Sequence, residues 1–309
     1  MNQPLTDVAK LAVSETPAPD SPWTGIAPGR SFFIDDGIRR LADKAILYAR
    51  AGICVHLCGP AGAGKTSLAL HVAEALGRPV SFIAGNDGLT STDFVGREIG
   101  QSSISIVDRY VQTVRRTETM TRSEWKESML AVAMERGHTL VYDEFTRASP
   151  KANSTLLSVL EEGVLIVTDQ ASERSCIRAH PCCRILLTSN PHDYVGANSA
   201  PDALMDRVLT LNIDTPPIET LTGIVAQRSG VDPATAGRIV RLVRAAQEAT
   251  QVRSLTSIRT AIMIARIAAF ARRDGPAPDA AIAEAAADIL AGRGAAIDLP
   301  EVTRLLADT

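Results

Sequence analysis

Gly59-Pro60-Ala61-Gly62-Ala63-Gly64-Lys65-Thr66 follows the GxxxxGK[ST] spacing of a phosphate-binding loop. Gly59, Gly62 and Gly64 allow backbone conformations that a Cβ forbids, so that successive N–H groups can converge on a β-phosphate. A helix opening at Lys65 and continuing through Ser67 adds its positive N-terminal end. Lys65 brings a mobile ammonium to the β- and γ-phosphates, and the Thr66 hydroxyl is a hard oxygen ligand suited to Mg²⁺. The expected ligand is a nucleoside triphosphate with magnesium, held by residues 59 to 67. The competing reading is a glycine-rich turn that matches by chance; an apolar strand before it and a helix after it argue against that.

Three further positions carry chemistry of the same kind. Thr139-Leu140-Val141-Tyr142-Asp143-Glu144 is an apolar strand ending in two carboxylates. Asp143 suits the Mg²⁺ shell and Glu144 suits orientation or deprotonation of an attacking water. Taken alone, the pair reads better as a strand capped by acidic surface residues; downstream of a phosphate loop that reading becomes the weaker one. Arg184 to Asn190 is a buried-type strand closed by an amide and then Pro191. Asn190 there can hydrogen-bond a γ-phosphate or a water, or can simply form an Asn-Pro turn. Arg207 either bridges Asp206 at the surface or is presented to a neighbouring subunit's γ-phosphate. Arg259 is open in the same way, between a solvated helix face and a phosphate contact.

The elements that must position these groups are legible from periodicity. A helix is predicted over Gly37 to Arg50, a strand over Ile53 to Cys58, a helix over Ser67 to Leu76 and a second strand over Pro79 to Ala84. Asn86 to Gly100 reads as a functional loop around Asp93-Phe94-Val95-Gly96, and residues 104 to 136 as mixed, ending in a helix from Ser123 to Arg136. After the acidic strand come a helix over Ser149 to Glu162, capped by Ser149-Pro150, and a hairpin over Gly163 to Arg184. A fifth strand follows from Val208 to Ile213, and Pro216-Pro217 forms a boundary. From Ile218 onward the chain is Ala-, Leu-, Ile- and Arg-rich at helical spacing, with Gly275-Pro276-Ala277-Pro278 separating the last pair of helices. The organisation read from this is a flexible arm over residues 1–30 with Trp23 as anchor, an α/β nucleotide-binding domain over 31–215, and a small all-helical lid over 216–309.

The 309 residues are 45% hydrophobic, enough for a large core and a smaller one. With 32 basic and 35 acidic residues the net charge is -3, which argues against a dominant electrostatic hold on nucleic acid. Aromatic residues make up 4%, too few for a stacking platform on single strands. Five cysteines without a secretory signal or long apolar run suggest a soluble, cytoplasmic protein with reduced thiols and no membrane partner. Cys54 and Cys58 read as core thiols on the strand that feeds the loop. Cys182-Cys183 lacks the companions of a four-ligand metal set.

Together these motifs resemble the AAA+ ATPases. Asp143-Glu144-Phe145-Thr146-Arg147-Ala148 looks like the MoxR branch. Tyr142 to Phe145, Leu156 to Glu162, Thr188 to Pro191 and Asp202 to Arg207 are similar to the gas vesicle GvpN family, over about residues 30 to 270. The resemblance implies a five-stranded parallel sheet in the order 5-1-4-3-2, with ATP and Mg²⁺ as cofactors. It also implies ring assembly, as a hexamer, with sites between subunits. By motif, Gly59 to Thr66 stand at Walker A, Asp143-Glu144 at Walker B, Asn190 at sensor 1, Arg207 at the arginine finger and Arg259 at sensor 2. The implied role is enlargement or assembly of gas vesicles, with shell or accessory proteins as clients. A nucleotide-gated scaffold with little hydrolysis is the rival from another class; a nucleic-acid motor and a small-molecule kinase fit less well.

Overall fold

The structure, a computed structural model, describes residues 32–107, 117–167, 175–190, 202–250, 258–271 and 279–309. The arm with Trp23, Pro191, the tip of the hairpin at 168–174 and the Gly275 to Pro278 separator lie outside the described residues. In chain order come α1 (Asp36–Arg50), β1 (Cys54–Cys58), α2 (Lys65–Ala75), β2 (Val80–Ala84), α3 (Ser91–Val95), β3 (Gly96–Val107), β4 (Thr117–Glu127), α4 (Met129–Arg136) and β5 (Thr139–Asp143). A 3-10 turn (Phe145–Arg147) leads to α5 (Pro150–Asn153), α6 (Thr155–Glu162), β6 (Val164–Ile166), β7 (Cys176–Arg178), β8 (Arg184–Ser189), α7 (Asp202–Met205) and β9 (Val208–Asn212). The chain finishes with α8 (Ile218–Ser229), α9 (Pro233–Thr250), α10 (Ile258–Ala271), α11 (Asp279–Ala291) and α12 (Leu299–Ala307).

Five strands form one parallel sheet in the order β2-β5-β8-β1-β9. Numbered along the chain, this is the 5-1-4-3-2 order that the resemblance implies. A parallel sheet is covered on both faces, and the side chains alternate between two cores accordingly. Leu140, Tyr142, Ile185 and Leu187 join Phe94, Leu130, Met134, Phe145 and Leu156 on one face. Val55, Leu57, Val141 and Leu186 join Ala42, Ala45, Leu68 and Val72 on the other. A third cluster, with Ile239, Leu242, Ile264, Ile282, Leu290 and Val302, is built from the helices beyond Pro217.

Three local expectations need correction. Residues 123–127 belong to β4, and the helix begins only at Met129. Ser128 caps it, accepting from Ala131 N–H at 2.9 Å, while an antiparallel ladder with β3 supplies Ser123 to Glu127 with partners that a helix would have to replace. The stretch around Asp93 is not an open loop. Thr90 and Asp93 form a capping box that starts α3, and Phe94 and Val95 are buried in the core before Gly96 opens β3. The helix expected over Ser149 to Glu162 is interrupted at Ser154, because Asn153 turns inward: it accepts from the Tyr142 hydroxyl at 2.9 Å and donates to the Phe145 carbonyl at 3.0 Å. The hairpin after Gly163 forms as β6 against β7.

Candidate nucleotide site

The glycine loop leaves the sheet at β1, between β8 and β9. Gly59 has no room for a side chain: a Cβ would lie 2.3 Å from the Ile213 carbonyl oxygen. Gly62 and Gly64 take left-handed φ values of 82° and 86°, and Gly64 is the N-cap of α2. Ala63 N–H donates to the Pro60 carbonyl at 3.2 Å, which closes the bend. Lys65 is buried, and its Nζ donates to the carbonyls of Gly59 and Pro60, each at 2.8 Å. Its ammonium therefore sits over the mouth of the loop, on weak acceptors that phosphate oxygens would outcompete.

Across the sheet, the Thr66 hydroxyl donates to Asp143 Oδ1 at 2.7 Å, and the Thr188 hydroxyl donates to the same oxygen at 2.5 Å. A hydroxyl and a carboxylate in contact are the hard oxygen pair that a magnesium ion takes, so these donors fit the metal that a triphosphate carries. Glu144 is next, with its N–H donating to Thr188 Oγ1 at 2.9 Å. Its backbone is left-handed, φ 52° and ψ 42°, a conformation that costs a glutamate roughly 1–3 kcal/mol. Gly85 makes this turn possible: its N–H donates to the Asp143 carbonyl at 2.7 Å, and a Cβ would stand 2.1 Å from the Glu144 carbonyl oxygen. The Glu144 carboxylate meets Arg147 Nε at 2.9 Å.

Asn190 follows Ser189, which is paired with Cys58 in register and accepts the Gly59 N–H through its carbonyl at 3.3 Å. The Asn190 backbone thereby leaves the sheet next to the start of the loop. Arg207 is held elsewhere in its own chain, donating to Glu161 Oε2 through Nε at 3.1 Å and through a terminal nitrogen at 2.7 Å. The surface bridge to Asp206 expected as its alternative is thus made with Glu161 instead. Arg259 is the second residue of α10 and is exposed; residues 251–257, which lead into it, lie outside the described residues.

Sequence reasoning passed over Thr188, Gly85 and His56. His56 lies in the middle of β1, fully buried, with Nδ1 3.0 Å from Thr210 Oγ1 on β9 and Nε2 2.8 Å from Ser189 Oγ on β8. Phe145 meets the ring edge-on, and burial pushes the imidazole down to about 4, so it is neutral. A histidine inside an apolar strand was the available signal. Cys54 is a buried core thiol as expected, with burial raising its pKa, while Cys58 is half-buried.

Residues 54–208 match the AAA domain model of the dynein-related subfamily. The chain is 36% identical over 288 residues to the gas vesicle ATPase GvpN of Ancylobacter aquaticus, covering 93% of this chain and 80% of that protein. With the gas vesicle ATPase GvpN of Haloferax mediterranei it shares 39% identity over 235 residues, 76% of this chain and 67% of that protein. Among solved structures, the RuvB Holliday junction branch migration motor of Thermotoga maritima superposes with a TM-score of 0.50 at 17% identity, covering 82% of this chain and 69% of that one. That last likeness concerns the fold alone. Identity at this level across most of both chains, together with the AAA domain match, means that the chain belongs to the GvpN family of AAA-domain ATPases.

Proposed function

We propose that this protein hydrolyses ATP to remodel or load proteins during gas vesicle formation. The observation that carries the ATPase reading is the convergence of Thr66, Asp143, Thr188 and Glu144 at the mouth of the glycine loop. The loop N–H groups and Lys65 hold the β- and γ-phosphates, and Thr66 and Asp143 hold Mg²⁺. When bound, the ion neutralises charge on the phosphate oxygens. Glu144 orients the attacking water and takes its proton, and Asn190 holds the same water or a γ-phosphate oxygen. Water adds to the γ-phosphorus as the bond to the bridging oxygen of ADP breaks.

Arg207 leaves Glu161 and reaches the γ-phosphate of a neighbouring protomer in a ring, a hexamer by family analogy, while Arg259 contacts phosphate from the helical part. The α/β part and the helices beyond Pro217, each with its own core, act as two domains that change their relation with nucleotide state. Gas vesicle shell or accessory proteins are the proposed clients, and the site of action is the cytoplasm, on or near vesicles. No helix among the described residues is long and apolar enough to cross a membrane.

The test is ATP hydrolysis by the purified protein over a concentration series, beside Lys65→Ala, Glu144→Gln and Arg207→Ala. Specific activity that rises with concentration and is lost in all three variants is expected. Full activity in a monomer would remove the arginine in trans, and ATP binding without turnover at any concentration would remove the hydrolytic reading.

A further inference from the structure

Among the described residues, Glu144 is the one non-glycine residue with a left-handed backbone. Such a conformation persists in an L-residue only where its surroundings enforce it. The Thr188 hydroxyl takes the Glu144 N–H, the Arg147 N–H donates to the Glu144 carbonyl at 2.9 Å, and Gly85 leaves space for that carbonyl. These contacts fix the peptide and the direction in which the side chain leaves it. They do not fix the carboxylate, which lies three rotatable bonds further out.

The carboxylate is fixed by Arg147, whose Nε lies 2.9 Å from Glu144 Oε2. Arg147 thus grips Glu144 twice, once through its main chain and once through its guanidinium. The 3-10 turn that begins at Phe145, a fully buried ring, places the Arg147 backbone one turn from Glu144. As a source of stability the ion pair is weak, because the two side chains are 53% and 37% exposed and an exposed i,i+3 pair contributes little. What it supplies is direction.

We infer that Arg147 is a positioning residue for hydrolysis. It holds one oxygen of Glu144 so that the other faces the attacking water, and it acts only through that carboxylate. This rests on the reading of Glu144 as the group that engages water.

The experiment compares steady-state ATP hydrolysis and the binding of a fluorescent ATP analogue in the full chain and in Arg147→Ala, Arg147→Gln and Glu144→Gln. Arg147→Ala is expected to fold and to lower kcat roughly tenfold, with KM and analogue affinity within about twofold of the parent, as misaligning a catalytic group does. Arg147→Gln, which keeps an N–H donor of similar reach, falls between alanine and the parent. Unchanged or raised kcat in Arg147→Ala beside an inactive Glu144→Gln overturns the inference and leaves the role of Glu144 standing. A loss of affinity that parallels the loss of kcat also overturns it, because that marks a structural contact. Full turnover by Glu144→Gln overturns both readings together.

Discussion

Between Cys54 and Ser189 ten polar or charged side chains are buried among the described residues, from His56 and Lys65 to Thr188 and Ser189; beyond Pro217 only Thr220 and Thr260 are. In the α/β part most of these groups are tied to a strand end or a turn. His56 spans three strands, Tyr142 and Asn153 tie β5 to α5, and Thr188 ties β8 to the acidic turn. The helical part is packed with Ala, Val, Ile and Leu, and its polar links run along the surface, as between Arg238 and Asp279. Burying a polar group costs unless it finds a hydrogen-bond partner, and eight of these ten side chains do, Thr139 and Thr146 being the exceptions; that demand makes the α/β core specific in geometry where the helical core is specific mainly in volume.

Four substitutions or conditions break or sharpen this contrast. Glu144→Gln is expected to lower kcat by about 10²–10⁴-fold while ATP still binds, because one proton acceptor is lost without a change in shape. Turnover near the parent value would detach the acidic turn from the chemistry. In the helical part, Leu242→Ala removes a fully buried side chain and is expected to cost about 2–5 kcal/mol in urea unfolding, with analogue affinity unchanged. A parallel loss of affinity would show that the helical core shapes the site as well.

The third test uses pH. His56 is held at about 4 in the folded chain against its ordinary 6.5, so the neutral ring is the one that fits. Its contribution is therefore complete above pH 6.5 and is lost as pH falls toward 4, by roughly 3 kcal/mol across that window. Unfolding free energies at several pH values for the parent and His56→Asn should diverge in slope there, and coincident slopes would sink the assignment. Smallest is Arg238→Ala, which breaks an exposed pair and is expected to cost no more than about 1 kcal/mol, less at high salt. A larger loss would mean that the helical part also relies on specific polar geometry.

The loop, the acidic strand end and the five strands of the sheet were legible because each is local or periodic: glycine and lysine at set spacing, apolar runs of strand length, carboxylates at a strand terminus; the order of those strands came only from the family resemblance. Thr188 was not, since its partner Asp143 is 45 residues away and nothing in Thr188-Ser189-Asn190 distinguishes the threonine from a packing residue. Gly85 was hidden for the same reason: its lack of a side chain matters only because Glu144 folds against it. Local reading misplaced Ser123 to Glu127 and Asp93 to Gly100 where strand pairing and burial outweighed propensity.

By itself, then, the sequence determined that a glycine-rich phosphate-loop motif and an aspartate with a neighbouring glutamate stand at the ends of strands. Spacing along the chain is enough to specify groups that act from one turn. Only the tertiary structure decided that Thr188 and Thr66 share one oxygen of Asp143, that Glu144 is bent into a left-handed turn against Gly85, and that Arg207 rests on Glu161. Those contacts join strands and helices far apart in the chain, and their distances come from how the sheet packs.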